Sequence, residues 1–150
     1  MKKILFCLVV ALTIVTACKD NKQQKAEQLL AQAEQSFSAS NYSQALALVD
    51  SVRKVYPNAI DTRRKALKLY QKIELKKAQD ELGKTDSLLQ SVQHDLNYQQ
   101  LKADKDKAAL RATVEQLTHL TKTRMRRDSL RTQCETLGAK IRYIRKKQKE

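Results

Sequence analysis

Residues 22–57 read KQQKAEQLLAQAEQSFSASNYSQALALVDSVRKVYP, and this stretch decides the fold. Ala26, Leu29, Leu30, Ala33 and Phe37 recur three and four residues apart, which predicts a helix from Lys22 to Ala39 with one apolar face. Ser38 to Asn41 is a polar turn, and a second helix is predicted from Tyr42 to Val55. Tyr56-Pro57-Asn58 stops it, because proline disfavours a helical residue immediately before it. Pro57 then suits the first turn of a following helix, where its missing N–H costs nothing.

Two antiparallel helices in about 34 residues resemble a tetratricopeptide repeat. With Pro57 as the closing proline, Leu29, Ala33, Tyr42, Ala45, Val49 and Val52 fall on the repeat's packing positions. Two positions depart from the pattern: Gln32 stands at a usual leucine, and Phe37 is one place late. The resemblance implies that Ala33 and Ala45 are small because the helices approach most closely there, with Tyr42 filling the groove beside them. A fainter copy follows thirty-three residues on, with Ala59, Ala66, Tyr70, Ala78 and Leu82 repeating Ala26, Ala33, Phe37, Ala45 and Val49. Gln71 to Lys77 holds no turn residue, so Asn58 to Leu82 is read as one long helix that packs on the first hairpin and continues beyond it.

From Leu82 onward the apolar residues change to coiled-coil spacing. Leu82, Leu89, Val92 and Leu96 keep it, as do Leu110, Val114 and Leu117, and Leu130, Cys134, Leu137, Ile141 and Ile144 follow it in steps of four and three. Residues 98–109 are poor in large apolar side chains, 118–127 interrupt the rhythm, and Gly83 and Asp128-Ser129 mark possible breaks. A straight helix over 58–150 would reach about 140 Å. Either a fold-back near 98–109 or 118–128, or self-association, would bury the seam. The expected organisation is all-α: a signal segment (1–17), a short tether (18–21), a tetratricopeptide-like region (22–82) and a coiled coil (83–150).

The N-terminus speaks to location. Lys2 and Lys3 precede an apolar run from Ile4 to Val15, which ends in Val15-Thr16-Ala17-Cys18. The run is about twelve residues, whereas a membrane-spanning helix needs roughly twenty, so it reads as a secretory signal. The ending resembles the lipobox of bacterial lipoproteins. That resemblance implies that Cys18 is acylated, becomes the first mature residue and anchors the protein in the envelope. An ordinary signal peptidase site after Thr16-Ala17 is the alternative. Lys19, where inner-membrane lipoproteins carry Asp, resembles the outer-membrane class.

Little in the chain points to catalysis. His94 and His119 are too far apart for a helical metal pair, and two glycines build no phosphate-cradling loop. The carboxylates have basic neighbours, as in Asp104-Lys105-Asp106-Lys107, and read as solvated helix surface. No enzyme activity, cofactor or metal is expected. Cys134 would be the free thiol of the mature chain, placed as a small core residue.

The net charge of +14 is uneven: residues 121–150 hold eleven Lys or Arg against three Asp or Glu, while 84–120 balance at five each. Basicity therefore reads as a property of the C-terminal end. There Lys140, Arg142, Arg145, Lys146, Lys147 and Lys149 flank the apolar seam and form a candidate polyanion-binding surface. Export removes nucleic acid from the expected partners and leaves lipid head groups, lipopolysaccharide phosphates and acidic glycans. The leading expectation is a lipid-anchored, non-enzymatic interaction scaffold with an unknown protein partner. Polyanion binding and a homo-oligomeric spacer are the alternatives.

Overall fold

The computed structural model describes residues 21–150; the expected signal segment, the acylation position Cys18 and most of the tether lie outside the described residues. The described residues are all-α. They form α1 (21–38), α2 (Tyr42–Val55), α3 (Ile60–Ala108) and α4 (Val114–Lys147). Two compact units divide the chain, the first ending at Glu74 and the second running from Leu75 to Glu150, so the boundary falls inside α3.

In the first unit, α1, α2 and the start of α3 share one core. Leu30 and Ala33 from α1, Ala45, Val49 and Val52 from α2, and Ala66, Leu69 and Ile73 from α3 are buried together. Leu29, Phe37, Tyr42, Leu46 and Leu48 pack around them. The α1–α2 connection is built by backbone rather than by glycine. Ser40 takes φ 60°, Ser40 N–H bonds to Phe37 O at 2.9 Å, and Asn41 N–H to Ser36 O at 2.9 Å. This is a Schellman end, which satisfies the last carbonyls of α1. Asn41 then caps α2 by accepting from Gln44 N–H at 3.3 Å. Pro57 does not open α3: residues 57–58 form a turn, and the helix begins at Ile60. Arg63 reaches back to donate to Pro57 O at 3.0 Å, which fastens this turn to the helix it precedes.

The second unit is an antiparallel helical hairpin. Gly83 is not a break, nor is Asp128-Ser129 a helix start; both lie inside continuous helices. The chain folds back at 109–113, while 98–108 and 118–128 remain helical. Leu110 makes the turn with φ 55°, and Arg111 N–H bonds to Asp106 O at 2.7 Å, a second Schellman end. Thr113 caps α4 by accepting from Gln116 N–H at 3.2 Å. The paired faces keep coiled-coil spacing without interruption. On α3, Ala78, Leu82, Thr85, Leu89, Val92, Leu96, Gln99, Ala103 and Asp106 are buried or half-buried; on α4 so are Gln116, Leu120, Thr123, Arg127, Leu130, Cys134, Leu137, Ile141 and Ile144. Steps of four and three hold throughout both runs. In the stretches that look like gaps in the sequence, polar residues hold seam positions beside the buried Ala103 and Leu120.

Candidate functional site

Each expected packing residue of the first hairpin can be placed. Ala33, Ala45 and Val49 are fully buried, Leu29 and Tyr42 pack partly buried against the core, and Pro57 is exposed. Phe37 and Tyr42 meet at 6.1 Å between ring centres with a 41° tilt, closing the α1–α2 turn over the core. A polar groove of about 300 Å³ lies along α1 and α2, lined by Gln32, Gln35, Ser36, Asn41, Gln44 and Leu48 among others. Its lining carries no charged group and no nucleophile beyond a serine hydroxyl.

The C-terminal basic residues are all solvent-facing: Lys140, Arg142, Arg145, Lys146, Lys147 and Lys149 surround the inward-pointing Leu137, Ile141 and Ile144. Lys147 Nζ donates to Glu150 Oε2 at 2.6 Å. That hydrogen bond, with the charge of Glu150 behind it, raises the Lys147 ammonium above its ordinary pKa. The hairpin register places Lys76 and Lys77 of α3 at this same end, although Lys76 is paired to Asp80 at 2.9 Å.

Near the fold-back the two helices are joined by polar side chains. Gln116 donates to Asp106 at 2.8 Å, Gln99 and His119 share a hydrogen bond at 3.1 Å, Arg124 bonds to Gln100, and Arg127 donates to Gln93 at 3.3 Å. Arg127 Nε also lies 2.7 Å from Asp128 Oδ1. Both atoms are buried, and the contact between adjacent residues is an ion pair rather than a well-aligned hydrogen bond. Cys134 is half-buried in the seam, as its spacing predicts. Among the described residues, no group of three His, Cys, Asp or Glu is arranged to hold a metal ion, and no helix is long and apolar enough to cross a membrane.

Basicity is not confined to the C-terminal end. Residues 53–72 carry seven Lys or Arg against Asp61 alone. This charge accumulates on the end of α2 and the first turns of α3, where Arg53 lies over the Tyr70 ring at 6.0 Å. The signal is visible in the sequence as RRKALKLYQK, residues 63–72, but it is masked when charge is weighed only beyond residue 83.

No family model matches the chain, and neither the curated proteins nor the solved structures compared with it contain a match.

Proposed function

We propose that this chain is a non-enzymatic, lipid-anchored protein of the bacterial cell envelope that serves as an interaction scaffold. The observation that carries the reading is Val15-Thr16-Ala17-Cys18, standing immediately ahead of the helical chain. Acylation of Cys18 with two or three chains would give stable anchoring, since each buried methylene contributes about 0.8 kcal/mol. Lys19 directs the anchored protein to the outer membrane in this reading. The tetratricopeptide-like spacing supports a docking role for the first unit, because the fully buried Ala33 and Ala45 match the small-residue approach of that repeat. Replacing Cys18 by Ala and fractionating cells tests the anchor. Release of the protein from membranes supports it, and unchanged membrane association overturns it. Pull-down with the anchored chain from envelope extracts tests the scaffold role, which fails if nothing co-purifies.

A second reading is favoured by the six exposed basic residues of the α4 end. In that reading Lys140, Arg142, Arg145, Lys146, Lys147 and Lys149 bind lipopolysaccharide phosphates or anionic lipid. Such binding weakens steeply with salt, because exposed charges are screened within about 10 Å at 0.1 M. A homo-oligomeric spacer has less support, since the hairpin covers Val92, Leu96, Ala103 and Leu120 within one chain.

A further inference from the structure

One side of α3 is packed in the first unit, and the other is not. Thr62, Ala66, Leu69 and Ile73 point into the core. On the opposite side Ile60 and Leu67 are 65% and 45% exposed, with Tyr70 beside them at 38%. Ile60 and Leu67 stand seven residues apart, about 10 Å along the axis, on the same side of the helix.

The surroundings of this pair are basic. Arg63, Arg64 and Lys68 share its side of the helix by the 3.6-residue period, and Arg53 is held over Tyr70 from α2. The existing partners of this surface are few and exposed: Asp61 lies 3.5 Å from Arg64, and Arg63 donates to Pro57 O at 3.0 Å, so the positive charge exceeds the negative. We infer that the outer face of α3 between Ile60 and Tyr70 docks an acidic amphipathic helix of a partner protein. Ile60, Leu67 and Tyr70 take its apolar stripe, and Arg53, Arg63, Arg64 and Lys68 pair with carboxylates along its flanks.

Two other occupants fit less well. A second copy of this chain would bring the same basic surface against itself, which like-charge repulsion opposes. A bilayer would take up only Ile60 and Leu67, two side chains about 10 Å apart with Arg63 and Arg64 to either side, which is little apolar area for insertion. A partner helix adds directed charge pairs to that area, because its own carboxylates lie where the guanidinium groups project. The charge complementarity also sets the kinetics: association is fast at low salt and slows as salt rises.

The inference rests on the scaffold reading and fails separately from it, because a partner bound at another surface would leave the scaffold role intact. The test uses the full chain in zwitterionic-lipid nanodiscs. Two labelled helical peptides of about eighteen residues are titrated, identical in Leu spacing and carrying either Glu or Lys on both flanks. The Glu peptide should bind with at least about tenfold preference, and its affinity should fall with salt. Leu67→Asp should weaken it about tenfold or more, and the pair Arg63→Glu, Arg64→Glu should reverse the preference between peptides. All three positions are exposed, so unchanged far-UV circular dichroism identifies folded variants. Equal binding of the two peptides, no binding, or indifference to both variants overturns the inference. Binding to added phosphatidylglycerol vesicles in place of the Glu peptide, lost in the charge-reversed pair, overturns it in favour of a membrane surface.

Discussion

Gln23 Nε2 donates to Thr62 Oγ1 at 2.9 Å, joining the start of α1 to the start of α3 across 39 residues of sequence. Thr62 is almost fully buried, and Gln23 is half-buried, so the bond is shielded from water on one side only. Thr62→Val keeps the shape and removes the acceptor. The expected cost is about 1 kcal/mol, since a typical intramolecular hydrogen bond contributes about 0.5–1.5 and Gln23 can still reach solvent. Urea unfolding of the variant measures it. A loss above about 3 kcal/mol would mean that the pair does more than close this corner.

The core of the first unit should respond asymmetrically to volume changes. Ile73 is fully enclosed, and Ile73→Ala removes three carbons and leaves a cavity, for an expected loss of about 2–5 kcal/mol. Ala45→Leu forces a larger side chain between α1 and α2 and should cost about 1–3 kcal/mol. Thermal or urea denaturation distinguishes the two from a tolerant, loosely packed core, in which both values would fall below about 1 kcal/mol.

Leu110 should be replaceable with profit. It holds φ 55° at the end of α3 and is 95% exposed, so it contributes no burial in return for its left-handed backbone. Such a backbone costs an L-residue roughly 1–2 kcal/mol, partly offset in the comparison by glycine's greater freedom when unfolded. Leu110→Gly should therefore raise stability by up to about 1 kcal/mol, read as a higher melting temperature. A decrease would show that this leucine has a covering in solution.

Gly83 should respond in the same direction for a different reason. It lies inside α3, and a Cβ built there meets nothing within 4 Å. Gly83→Ala should stabilise the helix by about 0.8–1 kcal/mol, the propensity difference at an exposed interior position. No gain on denaturation would argue that the helix is interrupted there.

The Lys147–Glu150 pair gives a pH-dependent readout. Lys147 has a raised pKa in the folded chain, so its contribution is present below the ordinary lysine value, about 10.4, and is lost as pH rises through the folded value. By NMR its ammonium should titrate above the ordinary lysine value. Glu150→Gln should return it toward that ordinary value, and an unmoved titration would remove Glu150 as the cause.

The helical part of the first unit was legible because its apolar spacing is regular and its stops are chemical. Tyr42–Val55 agrees at both ends with the helix expected from Asn41 before it and Pro57 after it. The second unit was harder to read. Its turn carries Leu110 where glycine or asparagine would have announced a left-handed residue, so nothing at 109–113 resembled a helix end. Thr113 and Gln116 did carry a signal, the spacing of a capping box, and it stood without a conspicuous apolar run behind it. Gln99, Asp106, Thr123 and Arg127 hid the continuity of the seam, because a rhythm counted only in apolar residues stops where polar ones take the same positions. The basic outer face of α3 was missed because it needs both the helix bounds and the direction of the core to be seen as a face.

The unbroken spacing of the hairpin has a consequence for how it opens. Toward its free ends the paired positions are Ala78, Leu82, Ile141 and Ile144, whereas toward the fold-back they include Gln99, Asp106, Gln116 and Thr123. Apolar burial holds the first group; the second is interleaved with the buried cluster of Leu96, Ala103 and Leu120, and only the last stretch, where Gln116 donates to Asp106, is held by a side-chain bond that water competes for. The covalently closed end is thus the thermodynamically softer one. Breathing should begin at the loop and travel toward the base of the hairpin, so amide protons near residues 105–117 exchange before those near 78–103 and 120–144. A hairpin of this kind can splay its tip without surrendering its base.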